Sequence, residues 1–110
     1  MKPHLNLWIE QNDEVVLSDW RVSLLEAIAE TGSISSAAAR MDVPYHRAWD
    51  KLHEMEEGLG VHLVETQTGG SGGGGAQLTS DGQRYIEQFR RFQAGLKEQV
   101  EQRFKQTFGE

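Results

Sequence analysis

The chain has 110 residues, 37% of them hydrophobic and 25% charged, the size and balance of one globular domain with a modest core. No run approaches 18 consecutive apolar residues and the N-terminus lacks a signal peptide's apolar core, so neither a membrane span nor a leader is expected. The absence of cysteine excludes disulfides, thiolate metal sites and cysteine nucleophiles, and fits a cytoplasmic setting.

Net charge is −6, from 11 Lys+Arg against 17 Asp+Glu. That total argues against a nonspecific nucleic-acid coat and against binding to anionic membranes. It leaves room for a small DNA-reading face on an acidic body. The segment 84–105 is locally basic, with Arg84, Arg90, Arg91, Lys97, Arg103 and Lys105 against Glu87, Glu98 and Glu101.

In chain order, Leu5, Leu7 and Ile9 alternate with Asn6, Trp8 and Glu10, a strand pattern over His4–Glu10. Gln11-Asn12-Asp13 is a turn, and Glu14–Leu17 a second strand, so the chain opens with a β-hairpin. Ser18 caps a helix, with Asp19 in its first turn. Val22, Leu25, Ile28 and Ala29 recur at helical spacing, and Gly32 ends the helix. Ser33 caps a short second helix containing Ala37-Ala38-Ala39, small residues that allow close helix approach. Asp42-Val43 breaks the chain, and Pro44 suits the first position of a third helix running to about Gly58.

On that third helix Ala48, Trp49, Leu52, Met55 and Leu59 fall on one side, which places Trp49 in the core. His46, Arg47, Asp50, Lys51, His53, Glu54 and Glu57 fall on the other, and Tyr45 lies near the apolar side, at the exposed N-terminal end. Val61–Thr68 and Ala76–Thr79 read as paired strands joined by the glycine-rich stretch Gly69–Gly75. Thr79 caps a long final helix with a stripe of Ile86, Phe89, Phe92, Leu96, Val100 and Phe104. Continued to about residue 106, it is roughly 40 Å long, more than so small a domain covers alone.

Two helices joined by a short turn, the first alanine-rich, form a helix-turn-helix, and the hairpin that follows makes it a winged helix. The expected fold is α+β, mostly α: a winged helix-turn-helix with an N-terminal β-hairpin and a long C-terminal dimerisation helix. A single domain spans 1–110, with helix-turn-helix and wing at 18–79 and the dimerisation helix at 80–108. In such folds the second helix enters the major groove. Arg47 can donate two hydrogen bonds to guanine. His46 can donate to a phosphate or base, and Tyr45 can donate its hydroxyl to a phosphate or pack on a thymine methyl. Ser33, Ser35, Ser36 and Lys51 are placed to hold the DNA backbone. Gly70, Ser71 and Gly72 form the wing tip, which can lie against sugar-phosphate without side-chain obstruction. Phe89, Phe92, Leu96, Val100 and Phe104 are the expected dimer interface. Asp50, Glu54, Glu56 and Glu57 on the reading helix oppose phosphate binding, less so toward its C-terminal half.

Other chemistries find little support. A P-loop needs Gly-Lys-Ser/Thr, which does not follow the glycine run. His46, Asp50, His53 and Glu57 lie on one helix face, a pattern whose ordinary meaning is a solvated face, so no metal is expected. No G-x-S-x-G or comparable catalytic spacing is present, so neither an enzyme nor a cofactor is expected.

The run from Ser23 to Glu56, followed by LVETQTGGSGGGGAQLTSDGQRYIEQF, resembles the N-terminal domain of the ModE family of molybdate-responsive transcription regulators. It resembles the LysR-type helix-turn-helix more loosely. Tyr45, Ala48-Trp49-Asp50, Glu54-Met55, the glycine wing and LT-xx-GQR carry the match. The resemblance implies a homodimer that binds double-stranded DNA and regulates transcription, of molybdate- or oxyanion-related genes. It places Tyr45, His46 and Arg47 at the start of the recognition helix and Thr68–Ala76 in the wing. Ser71 stands where the family pattern leads one to expect a basic residue. Full-length ModE proteins continue into oxyanion-binding domains with no counterpart here, so this chain is not expected to bind molybdate. The alternative reading is a protein-interaction module on a winged-helix scaffold, its basic last helix docking an acidic partner.

Overall fold

The computed structural model describes residues 1–67 and 75–109. Strands β1 (Trp8–Gln11) and β2 (Glu14–Ser18) form the expected N-terminal hairpin. Its two-residue turn is Asn12-Asp13, both left-handed at φ 54° and 64°. That geometry matches the strand twist, and Asn and Asp tolerate it better than other non-glycine residues. The ladder starts at Trp8 rather than His4. Trp8 already pairs with Ser18, beyond which the chain turns helical, so residues 4–7 have no strand to pair with. Ile9 faces Leu17 while Glu10 faces Val15, which leaves Val16 as the extra residue of a bulge. The bulge breaks the in-out alternation, and both Val16 and Leu17 are buried.

Helix α1 (Asp19–Thr31) is capped as the sequence indicates. The Ser18 hydroxyl accepts from the Arg21 amide, and Gly32, at φ 79°, donates its N–H to the Ile28 carbonyl. Val22, Leu24, Leu25, Ala27 and Ile28 are buried, whereas Ala29 is exposed. The buried arc is wider than a single stripe because α1 is covered by α2, α3, α4, β2 and β4. Helix α2 (Ile34–Arg40) is capped by Ser33, whose hydroxyl accepts from the Ser36 amide at 2.9 Å. Ala37 and Ala38 are buried and Ala39 is exposed.

Helix α3 (Tyr45–Leu59) begins one residue after Pro44, which is the cap and offers its carbonyl to the Arg47 and Ala48 amides. It ends at Gly60, φ 73°, rather than Gly58. Gly58 serves packing instead: a Cβ there would meet Val16 Cγ1 at 2.6 Å. The N-terminal hairpin rests on α3 at this point, and the Gln11 side-chain amide donates to the Gly58 carbonyl at 2.8 Å.

Strands β3 (Val64–Gln67) and β4 (Gly75–Leu78) pair antiparallel, with Val64 opposite Leu78 and Gln67 opposite Gly75. The Ala76 amide donates to the Gly32 carbonyl at 2.8 Å, which fastens the wing to the end of α1. Helix α4 (Ser80–Gln93) starts at the Thr79 cap, and α5 (Leu96–Phe108) follows. The long C-terminal helical segment is thus present with one interruption. Ala94, with ψ 133°, leaves the helical conformation and ends the first run, and Gly95, at a left-handed φ of 83°, precedes the second.

The main core gathers Leu24, Leu25, Ile28, Ala48, Leu52, Met55 and Leu63 from α1, α3 and the wing base. A second cluster joins Val16, Leu17, Val22 and Phe89. Arg90 ties α4 to α1, its guanidinium lying 2.6 Å from both Glu26 and Asp19 and donating to Ser23. These contacts hold the Arg90 pKa above its ordinary value, Glu26 contributing most, and hold the Asp19 carboxyl below its own. Helix α5 fully buries no residue, and the molecule is elongated, 60 × 28 × 21 Å.

Candidate nucleic-acid interface

Helices α2 and α3 pack together and bring Ser33, Ser35, Ser36, Tyr45, His46, Arg47 and Lys51 to one region. Tyr45, His46 and Arg47 all stand exposed on the first turn of α3. His46 and Arg47 point away from Ala48, Leu52 and Met55, which anchor the helix in the core, and Tyr45, closer to that buried side, is exposed at the helix start. Ser35 and Ser36 are exposed at the start of α2. Ser33 is half-buried; its oxygen already accepts the capping bond, and its proton remains for donation. Gly70, Ser71 and Gly72 lie outside the described residues.

Arg47 and Lys51 lie one turn apart on the flank of α3 that faces α1. With Trp20, Asp42, Val43 and Pro44 they line an open depression of about 490 Å³. Lys51 Nζ lies 3.3 Å from Glu54 Oε2, and Arg21 Nη2 reaches the same oxygen at 3.1 Å. Glu54 is therefore offset by two cations. Glu56 is half-buried and turned inward, its carboxylate accepting from the Leu63 amide at 2.8 Å and the Val64 amide at 3.3 Å. His53 and His62 flank it at 4.0 and 3.9 Å. Of the four acidic residues weighed against DNA binding, two are thus engaged within the protein. Glu56 fixes the base of the wing to the reading helix. Its helical phase, on the flank toward β3, was the signal in the sequence; its partners, the amides of residues 63 and 64, were not visible there.

Trp49 departs from expectation. It is 41% exposed, not in the core, and stacks on His53 with ring centroids 3.6 Å apart. Ala48, its neighbour, faces inward, and the 100° step carries the indole to the edge of the buried arc, where the His53 imidazole covers one face and much of the ring stays exposed.

The expected dimer residues divide. Phe89 is 1% exposed in the core of its own chain, packed with Val16, Leu17 and Val22, and has no surface left to offer a partner. Phe92, three residues on, is 56% exposed. Leu96, Val100 and Phe104 are half-buried along α5, and Phe104 meets the ring of exposed Phe108 at 4.9 Å. Leu5 and Leu7 of the N-terminal arm line a groove with Leu96 and Val100. Among the described residues, no helix is long and apolar enough to cross a membrane.

The profile of the bacterial regulatory helix-turn-helix proteins of the lysR family matches residues 21–83. The DNA-binding transcriptional dual regulator ModE of Escherichia coli (strain K12) is 43% identical over 88 residues, 79% of this chain and 33% of that protein. The molybdenum-pterin-binding protein MopB of Rhodobacter capsulatus is 42% identical over 76 residues, 69% of this chain and 28% of that protein. The chain spans about a third of the length of the curated relatives it matches. Among solved structures, the CbnR_DBD-DNA complex aligns with TM-score 0.54 and 30% identity, covering 66% of this chain and 77% of that one. Full-length CbnR complexed with its target DNA aligns with TM-score 0.61 and 25% identity, covering 77% of this chain and 28% of that one. Helix-turn-helix, wing ladder and these matches agree, and the chain belongs to the lysR family of bacterial regulatory helix-turn-helix proteins, as a homologue of the N-terminal region of ModE.

Proposed function

We propose that this chain is a sequence-specific duplex-DNA-binding transcriptional regulator that acts as a homodimer. The observation that carries the reading is the exposed first turn of α3, where Tyr45, His46 and Arg47 project from a helix anchored in the core. Arg47 reads guanine through two parallel hydrogen bonds. His46 and Tyr45 meet base edges or phosphate. Lys51, Ser33, Ser35 and Ser36 hold the backbone and set register. The wing tip, Gly70, Ser71 and Gly72, lies along the adjacent sugar-phosphate.

Segment 18–79 reads DNA and segment 80–108 pairs the subunits. Within the second segment pairing starts at Phe92, because Ile86 and Phe89 serve the monomer core. Phe92, Leu96, Val100 and Phe104 then meet their counterparts, and the dimer reads paired half-sites. The protein works in the cytoplasm, is not an enzyme, and controls molybdate-related genes, as the names of its relatives suggest. Molybdate is not proposed as a ligand of these residues.

Selection from a randomised duplex library, followed by salt titration of the winner, tests the reading. A two-fold symmetric motif whose affinity falls steeply with salt is expected. No enrichment by a folded, dimeric sample overturns it. Such a result would favour a protein-interaction module, which the net charge of −6 also suits.

A further inference from the structure

The wing-facing flank of α3 carries three flat rings in a row. Tyr45, Trp49 and His53 follow at four-residue spacing, which places them on one ridge of the helix. Tyr45 is 52% and Trp49 41% exposed. The imidazole of His53 stacks on the indole at 3.6 Å with 23° between planes. The Trp49 carbonyl also accepts a hydrogen bond from His53 Nδ1 at 2.8 Å, which holds the imidazole in place over the indole. The indole is therefore braced while much of Trp49 stays in water. Behind it, Val64, Thr66 and Gln67 of β3 form the other wall of a groove. The opposite flank of α3 is basic, with Arg47 and Lys51. The reading helix thus presents an apolar aromatic edge and a cationic edge.

We infer that Trp49 is a specificity-determining residue whose indole packs against the C5 methyl of a thymine in the major groove. The inference rests on the DNA-reading function proposed above. Among base edges in that groove, the thymine methyl is the apolar feature, and an apolar side chain is what recognises it. The cationic edge cannot supply that contact. A ring already held by a stack loses little freedom on binding, so the contact gains most of the methyl's burial. His53 is a positioning residue in this arrangement.

The test replaces each thymine of the selected operator in turn by deoxyuridine, which removes the methyl alone. The full chain should show one position per half-site where the replacement weakens binding about four-fold, the value expected for burying one methyl. Trp49→Ala should bind the thymine and uridine duplexes equally at that position. Trp49→Phe, which keeps an apolar ring, should retain part of the difference. Circular dichroism of each variant establishes that the exposed position leaves the fold intact. If the wild type binds its operator but no uridine position matters, the inference fails while the DNA-reading function stands. The same holds if Trp49→Ala keeps the full uridine penalty. A wild type that enriches no sequence overturns both.

Discussion

Gly82 on α4 lies against the backbone of Leu63, so close that a Cβ at Gly82 would meet the Leu63 carbonyl oxygen at 2.2 Å. Thr79 makes that approach possible. Its amide donates to the Leu63 carbonyl, and its hydroxyl donates to the His62 carbonyl while accepting from the Gly82 amide. The start of α4 is thereby locked onto the base of the wing. Glycine inside a helix ordinarily costs about 0.5–1 kcal/mol relative to alanine. Here the clash is with backbone and cannot be relieved by a rotamer change. Gly82→Ala should therefore destabilise by about 1–3 kcal/mol, the usual range for overpacking. Urea denaturation gives the sign directly; a stabilised variant would show that the contact yields.

Phe89 and Phe92 sit three residues apart on α4 and should respond in opposite ways. Phe89→Ala empties the second core and should cost about 3–5 kcal/mol of folding stability. Phe92 is exposed, and its truncation should leave monomer stability within about 0.5 kcal/mol. Phe92→Ala combined with Val100→Ala should instead weaken self-association. Sedimentation equilibrium over a concentration series measures it. A dissociation constant unchanged by the pair would move the dimer contact off this face.

Arg47→Ala should weaken binding to the preferred site by about 1–3 kcal/mol and relax preference at one base pair. Lys51→Ala should weaken all sequences alike and reduce the salt slope by about one. Competition binding against a panel of single-base operator variants separates the two patterns. Uniform loss from Arg47→Ala would reassign that side chain to the phosphate backbone.

The Asp19 carboxyl is held below its ordinary pKa by its hydrogen bonds to Arg90 and Gln93, the first being the larger cause. The unfolded chain therefore takes up this proton more readily than the folded one. The resulting stabilisation is fully present above the unfolded value of 3.8 and is lost as pH falls through the lower folded value. Asp19 is largely exposed, so solvent screening keeps the effect small. Asp19→Asn should lower stability at neutral pH and flatten its decline under acid. Thermal melts from pH 6 to pH 2 would show this as converging curves; parallel curves would exclude the linkage.

Local chemistry by itself determined most of the chain's organisation. Ser18, Ser33 and Thr79 each cap the helix predicted for them, because a hydroxyl accepting from an amide three residues on is a short-range bond. Gly32 ends α1 for a similarly local reason, and the inward stripe of Ala48, Leu52 and Met55 was legible from periodicity. The exposure of His46 and Arg47 followed from the same periodicity, and that of Tyr45, which lies near the apolar side by phase, from its place at the open end of the helix. What tertiary structure alone decided concerns residues at the border of a face. Trp49 reads as core by phase and by hydrophobicity, yet the surface it would cover ends before the indole arrives. Phe89 and Phe92 belong to one sequence stripe, and only the docking of β2 and α1 buries the first and leaves the second outside. Glu56 reads as a surface carboxylate until the amides of residues 63 and 64 arrive to claim it. Helical phase fixes the direction a side chain takes; which element waits there is settled by contacts between segments distant in sequence, and those no local pattern contains.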